Sequence, residues 1–403
     1  MNGGGDDEDY DDDVFLFLLL LLTATWQSII SVPLSFRDYL SADERRRRSG
    51  HLRRGALQNP NVAPFWQIYN SGQDDAMITF TGFDFAAFNQ LHQVFQPLFD
   101  NFTPFNNRNG FIVRKRFETG RPRLLTSISC LALGLSWTRT RGSLMVLQIV
   151  FGLTRSALSV WLRFARRMII KALINHPDAI VRLPTDNDVH IFLGVISAKY
   201  SLLTHVWGAM DGLKLTLERA GGNNDQQNNF FNGWTHDHYV TNLFVFSPDG
   251  KIRSAYFNAP GILHDSTMAV WSSIYEQIEE VYRRTGGQVV VDSAFSTTRT
   301  QAMISSYQTN IDRSGRARQS FGLNRQATSV RQLSEWGMRG LQGSFPRLKD
   351  RFFYEERGER KLILQMVVLL YNFRASTVGQ NQIHSSFMTH LLRDANHYVF
   401  SRR

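Results

Sequence analysis

The apolar residues of this chain change their period near Pro184, and that change fixes the fold classes open to it. Upstream, Phe83, Ala87, Phe88, Leu91, Val94, Phe95 and Leu98 recur at the spacing of one helix face, until Pro97 and an Asn/Pro-rich stretch to Asn109 end the pattern. Three more helical segments follow: 126–137, with Ile128, Leu131, Ala132 and Leu135 on one side; 143–151, with Ser143 as N-cap and Gly152 as stop; and 154–174, behind a Thr cap. Downstream the runs become short, β-branched and aromatic. Residues 207–217 (WGAMDGLKLTL) alternate in their second half, 239–246 (YVTNLFVF) lead through the turn Pro248-Asp249-Gly250 into 252–257, and 288–291 (QVVV) form a short buried strand. Helical propensity returns at 267–284, 331–345 and 360–373, the last apolar enough to cover a sheet. This order predicts an all-α region followed by an α/β domain of mixed sheet, with no internal repeat.

At 403 residues there is room for two or three domains, and 43 % hydrophobic with 12 % aromatic residues excludes a disordered or collagen-like chain. A single cysteine, Cys130, excludes a disulfide framework and a Cys-based zinc site, and fits a reducing compartment. The net charge of +10 conceals an asymmetry. Residues 1–44 hold ten acids and one base, so the remainder, with 44 bases against 25 acids, carries +19. Between Arg108 and Lys171 stand thirteen bases and one acid, Glu118. That density points to a polyanionic partner, nucleic acid foremost, with a generally basic soluble enzyme as the rival explanation.

Residues 1–73 read as a poorly ordered tail, acidic and apolar at first and then Arg-rich. The run 14–22 (VFLFLLLLL), extended toward Val32, approaches the roughly 20 residues of a membrane span. Its flank is acidic and Gln27 and Ser28 interrupt it, so a peripheral or non-native tail is expected and a membrane is not an expected partner; an anchor is the rival reading. Arg45, Arg46, Arg47, Arg48, His51, Arg53 and Arg54 suit nuclear import, phosphate binding or a solvated linker. Ordered structure is expected from Asp74: a helical region over 74–176, a connecting segment over 177–205, an α/β domain over 206–378 and a tail over 379–403.

Within 126–174, a short helix, the tight turn Phe151-Gly152-Leu153 and a longer amphipathic helix make the helix-turn-helix pattern. The last helix carries an apolar stripe of Ala157, Leu158, Trp161, Ala165, Met168 and Ala172 opposite Arg155, Ser159, Arg163, Arg166 and Arg167. Arg155, Ser156, Ser159 and Arg163 are the candidates for the DNA-facing side, with Arg166 and Arg167 beside them; a helical subdomain with a solvated basic face is the alternative. Arg316, Arg318, Arg325, Arg331, Arg347, Lys349 and Arg351 can track phosphates on the second domain.

Three acids of the α/β domain sit where phosphoryl transfer wants them. Asp211 lies in the first strand, Asp292 closes a later one, and Glu335, on a helix, follows at spacings of 81 and 43 residues. Acids at strand ends and a facing helix converge at a sheet edge, where divalent ions bind through oxygen ligands and stabilise attacking and leaving oxygens. Taken singly, Asp211 and Asp292 also read as turn or cap residues, and Glu335 as the partner of Arg339 one turn on. His236 and His238 can share one strand face as metal ligands, but no third ligand stands at zinc-like spacing, which favours polar or DNA-backbone contacts. The Asn/Gln run 223–229 reads as a surface loop.

Several stretches together resemble, in order and spacing, the PIF/Harbinger superfamily of DNA transposases and the nucleases derived from them. They are Gly208-Ala209-Met210-Asp211-Gly212, residues 239–250, Gly261-Ile262-Leu263-His264-Asp265-Ser266, Val291-Asp292-Ser293-Ala294-Phe295, and Ser334-Glu335-Trp336-Gly337-Met338-Arg339 through Leu348-Lys349-Asp350-Arg351-Phe352. The resemblance covers roughly 124–374 and includes the Phe-Gly turn. It implies an RNase H-like mixed sheet with flanking helices and a DDE triad of Asp211, Asp292 and Glu335 binding Mg²⁺, with Mn²⁺ as substitute. The activity it implies is metal-dependent cleavage and strand transfer of double-stranded DNA at terminal inverted repeats, in the nucleus. A Myb/SANT-like helper protein and a homo-oligomer are the further partners implied. Asp265, 54 residues after Asp211, is the rival second carboxylate and metal ligand. Asp292 is preferred because an acid closing a buried strand beside the first strand matches the RNase H-like arrangement, whereas Asp265 precedes a helix, where it can cap or stand outside the ligand sphere. The chain departs from the usual family form at Gly337, Gly340 and Gly343, each costing an isolated helix about 1 kcal/mol, so the segment either packs its backbone closely or is partly irregular. A domesticated, catalytically silent DNA-binding adaptor on the same fold is the alternative function.

Overall fold

The computed structural model describes residues 52–106, 112–114, 122–218, 229–233, 236–263, 265–295, 300–305, 317–352, 357–379 and 381–388. The apolar run 14–22, the Arg45–His51 stretch, most of the 223–229 run, His264, Arg316 and most of the C-terminal tail lie outside the described residues, as do the side chains of Asp265 and Arg318. The chain divides into two compact units, Met1–Leu57 and Gln58–Arg403. Of the first, a 3-10 turn at Arg54–Ala56 is described.

Packed structure in the second unit begins earlier than Asp74. Helix α1 (Phe65–Asn70) buries Phe65, whose ring lies 5.1 Å from that of Phe151. Helix α2 (Asp74–Thr81) follows, then α3 (Phe85–Asn101), capped by the Asp84 carboxylate accepting from the Ala87 N–H. Helix α3 runs through Pro97 instead of ending there. One missing N–H near the C-terminal end is tolerable, and Asn101 Nδ2 donates to the Pro97 carbonyl at 2.8 Å. Beyond α3, strands β1 (Phe102–Asn106) and β2 (Ile112–Arg114) pair antiparallel.

Helix α4 (Ser127–Arg139) starts at a reciprocal capping box between Thr126 and Ser129. Helices α5 (Met145–Phe151) and α6 (Arg155–Leu173) meet at 86° across Gly152. Only glycine fits there: its φ is +64°, and a Cβ would stand 2.4 Å from the Gln58 carbonyl oxygen. The expected connecting segment contains a helix, α7 (Asp186–Lys199), begun by a second capping box between Thr185 and Asp188.

The sheet is mixed. Strands β3 (Val206–Thr216), β4 (Phe231–Asn232), β5 (Asp237–Phe246), β6 (Ile252–Pro260), β7 (Gln288–Val291) and β8 (Met303–Ser305) take the order β4-β5-β3-β7-β8, with β6 also on β5. The β3–β5 and β5–β6 pairs are antiparallel; β3–β7 and β7–β8 are parallel. The helical stretch expected over 267–284 is two helices, α8 (Asp265–Trp271) and α9 (Ile274–Thr285), separated where Ser273 adopts φ +55°. Helices α10 (Ala317–Ser344), α11 (Arg357–Thr377) and α12 (Gln382–Phe387) complete the unit, with a 3-10 turn at Pro346–Lys349.

Strand alternation sorts the core into two faces. Ala209, Leu213 and Leu215 of β3, Phe244 and Phe246 of β5 and Val290 of β7 join α10, α11 and the N-terminal helices in one continuous core. Trp207 and Met210 of β3, Leu243 and Val245 of β5, and Val289 and Val291 of β7 pack on the other face under α8 and α9. The helical region and the first sheet face therefore share one hydrophobic core, and the orientation of α6 depends on packing against α11 and α4.

Candidate active site and basic surface

Parallel pairing puts Ala209 opposite Val290. Two residues beyond that pair, Asp211 lies within β3 and Asp292 is the first residue past the end of β7. Both continue the alternation of the first face: Asp211 follows Ala209 by two, and Asp292 follows Val290 by two. Each carboxylate accepts from the next backbone N–H, Gly212 or Ser293, at 2.7 Å.

Helix α10 crosses that same face, burying Ala327, Val330, Leu333 and Leu341. Its close seat depends on Gly337, where a Cβ would come within 2.4 Å of the buried Phe246 ring. Close backbone packing thus accounts for Gly337, while Gly340 has ordinary contact with Tyr371 at 3.5 Å and Gly343 faces open space. The segment is regular helix throughout. Glu335 projects from it beside Asp292, and one guanidinium joins them: Arg331 Nη1 lies 2.8 Å from Asp292 Oδ1, and Nη2 donates to Glu335 Oε1 at 3.1 Å. Glu335 therefore pairs with the arginine one turn back, not with Arg339. Arg331 Nε is buried with no hydrogen-bond partner, a cost on the order of 1–3 kcal/mol that its two carboxylates must offset.

The donor chemistry of this edge suits a hard divalent cation, since Asp211, Asp292 and Glu335 offer carboxylate oxygens alone. Asp292 and Glu335 already share one cation, the Arg331 guanidinium, a stand-in for the charge such a site takes. Among the described residues no three His, Cys, Asp or Glu side chains form a metal-holding group. Asp265 begins α8, whose Met268 and Ala269 pack on the opposite sheet face. His236 sits outside β5 at φ +53°, and His238 is buried against the Phe231 ring with Nδ1 unpartnered, so the two do not form a shared strand face.

The residues expected to contact DNA separate into two groups. Arg155, Ser156, Ser159 and Arg163 are exposed along α6, and Lys349 is exposed as well. Arg166 and Arg167 pair instead with Glu359 on α11, at 3.2 and 3.6 Å. Arg166 and Arg347 both lie over the nearly buried Trp137 ring, at 4.9 and 5.0 Å from its centroid. Arg347 also donates to the Thr140 and Gly142 carbonyls and pairs with Asp350. Arg351 clasps Asp237 with two hydrogen bonds of 3.0 and 2.7 Å and donates to the Leu217 carbonyl, tying the end of β3 to the start of β5. Its hydrogen bond holds the Asp237 carboxyl below the usual carboxylate range. Arg331, expected to track phosphate, pairs with Glu335 instead, and its i,i+4 spacing to that residue is the sequence signal for the pair.

No curated protein and no solved structure matches the chain. Residues 210–372, from within β3 to within α11, match the family model of the DDE superfamily endonucleases. That span contains Asp211, Asp292 and Glu335, and the match supports a DDE transposase-like nuclease domain there.

Proposed function

We propose that the chain is a DNA transposase of the PIF/Harbinger type, or a nuclease derived from one, that cuts and joins duplex DNA at terminal inverted repeats in the nucleus. One observation carries the reading: Asp292, just past the end of β7, and Glu335 on α10 meet at one guanidinium, beside the strand β3 that carries Asp211 two residues beyond the Ala209–Val290 pair. These carboxylates would hold Mg²⁺, or Mn²⁺ in its place, which supplies Lewis-acid activation of the attacking oxygen. The chain's own part is positional. Strand pairing carries Asp211 and Asp292 two residues beyond the Ala209–Val290 pair, and the Gly337–Phe246 contact fixes the depth of α10 and hence of Glu335. Asp265, on a helix packed against the other sheet face, is read as lying outside the triad. The perpendicular pair α5–α6 is read as a helix-turn-helix, with Arg155, Ser156, Ser159 and Arg163 toward DNA.

The rival, a catalytically silent DNA-binding adaptor, draws on the Arg331 bridge, which occupies two of the three carboxylates. Nicking of terminal-repeat DNA by the full chain with Mg²⁺ or Mn²⁺ decides between them. Asp211→Asn, Asp292→Asn and Glu335→Gln should each lower the rate by about 10²-fold or more with the fold retained. Nicking that persists in all three variants overturns the site. Salt-sensitive binding without cleavage under any divalent ion leaves the adaptor.

A further inference from the structure

We propose that Arg331 is a built-in competitor for the divalent-ion site, holding Asp292 and Glu335 on its guanidinium in the metal-free protein and leaving when an ion takes both carboxylates. An ordinary i,i+4 helix pair explains the contact with Glu335 but not the shorter one to Asp292, which comes from the end of a different element. The guanidinium therefore spans the two acids that the DDE reading assigns to the ion. Its fit is good at Nη1 and Nη2 and poor at Nε, which is buried without a partner. A bridge with one unsatisfied donor is easier to exchange than a fully bonded one.

Charge favours the exchange. Asp292 and Glu335 set two negative charges against the one positive charge of Arg331, so the pair stays anionic with Arg331 in place and attracts a second, more highly charged cation. The three partners are each a quarter to a third exposed, so ions reach them from solvent: 24 % for Arg331, 33 % for Asp292 and 35 % for Glu335. Arg331 lies on the same helix as Glu335, so its guanidinium can swing aside by side-chain rotation without unseating α10.

The inference rests on the metal-site reading above, and the experiment separates the two. Mn²⁺ binding to the full-length protein without DNA is followed by the electron-spin-resonance signal of free Mn²⁺, for wild type, Arg331→Gln, Arg331→Lys, Asp292→Asn and Glu335→Gln. Removing a competitor that occupies the site nine-tenths of the time raises apparent affinity about tenfold, the increase expected for Arg331→Gln. Arg331→Lys, a point charge that cannot fork to two carboxylates, should fall between it and wild type, and it also serves as the measurement if Arg331→Gln fails to fold. Asp292→Asn and Glu335→Gln should weaken binding. Unchanged or weaker Mn²⁺ binding in both Arg331 variants, with binding still lost in the carboxylate variants, overturns the competitor and leaves the metal site standing. Wild-type binding in the carboxylate variants overturns both.

Discussion

On α6, Arg155, Ser159 and Arg163 stand four residues apart and face solvent; on α10, Arg331 and Glu335 are also four apart but turn to the sheet edge, where Arg331 meets Asp292. The first stripe lies opposite the helix's buried side, Leu158, Leu162, Phe164, Ala165 and Met168, so its side chains contribute little to packing. The second is interleaved with buried Val330, Leu333 and Leu341 and is set in depth by Gly337 against Phe246. Binding chemistry on α6 is therefore separable from folding. The carboxylate chemistry on α10 is not, because the contacts that aim Glu335 also build the core.

The largest stability effect that sharpens this contrast comes from the α10 glycines. At Gly337 an added methyl meets the ring of a fully buried phenylalanine at 2.4 Å, and overpacking of that kind costs about 1–3 kcal/mol, more than the roughly 1 kcal/mol of helix propensity that alanine returns. Gly337→Ala should lower the melting temperature and the nicking rate together. Gly343→Ala, with nothing within 4 Å, should raise melting slightly and leave nicking alone. Equal melting of the two variants would show that α10 is not seated on Phe246.

The next comparison is between arginines. Arg347→Ala removes the cation from over Trp137, two bonds to carbonyls and a contact with Asp350, and should destabilise by about 1–2 kcal/mol without altering the salt dependence of DNA binding. Arg163→Ala should leave melting unchanged and reduce the slope of log affinity against log salt by about one. Thermal denaturation and salt-titrated binding on the same preparations check both halves. A salt slope lowered by Arg347→Ala as much as by Arg163→Ala would dissolve the division into structural and DNA-facing cations.

How much of this was legible before folding depended on the range of the interaction. Asp211 and Asp292 were readable because a buried run ending in an acid is a local pattern, and so were α4 to α6, whose periodicity, Thr126 cap and Gly152 stop are local too. Helix α7 went unread although Thr185 and Asp188 form its capping box, because the apolar periodicity there is weak. The packing of Gly337 was open, since whether a glycine is loose or tightly seated depends on Phe246, 91 residues away. The division of the basic residues was hidden for the same reason. Nothing in the run Arg163, Arg166, Arg167 distinguishes a solvent-facing arginine from two that meet Glu359, nearly 200 residues later.

The smallest effect tests the remaining clasp, Arg351 with Asp237. The hydrogen bonds from Arg351 depress the Asp237 carboxyl, so the folded protein binds that proton less readily than the unfolded chain does. Its contribution is therefore complete above the unfolded carboxylate pKa of about 3.9 and is lost as pH falls through the lower folded value. The pair is substantially exposed, with Arg351 50 % accessible, so solvent screening keeps its worth within about 1 kcal/mol. Asp237→Asn should lower melting by a degree or two at neutral pH, and the difference from wild type should close in the acid limb, below about pH 4. A gap that stayed constant to pH 2 would mean that Asp237 acts through shape alone. A gap that closes makes the clasp an electrostatic tie between the end of β3 and the start of β5, the two strands whose register carries Asp211 to its place on the sheet.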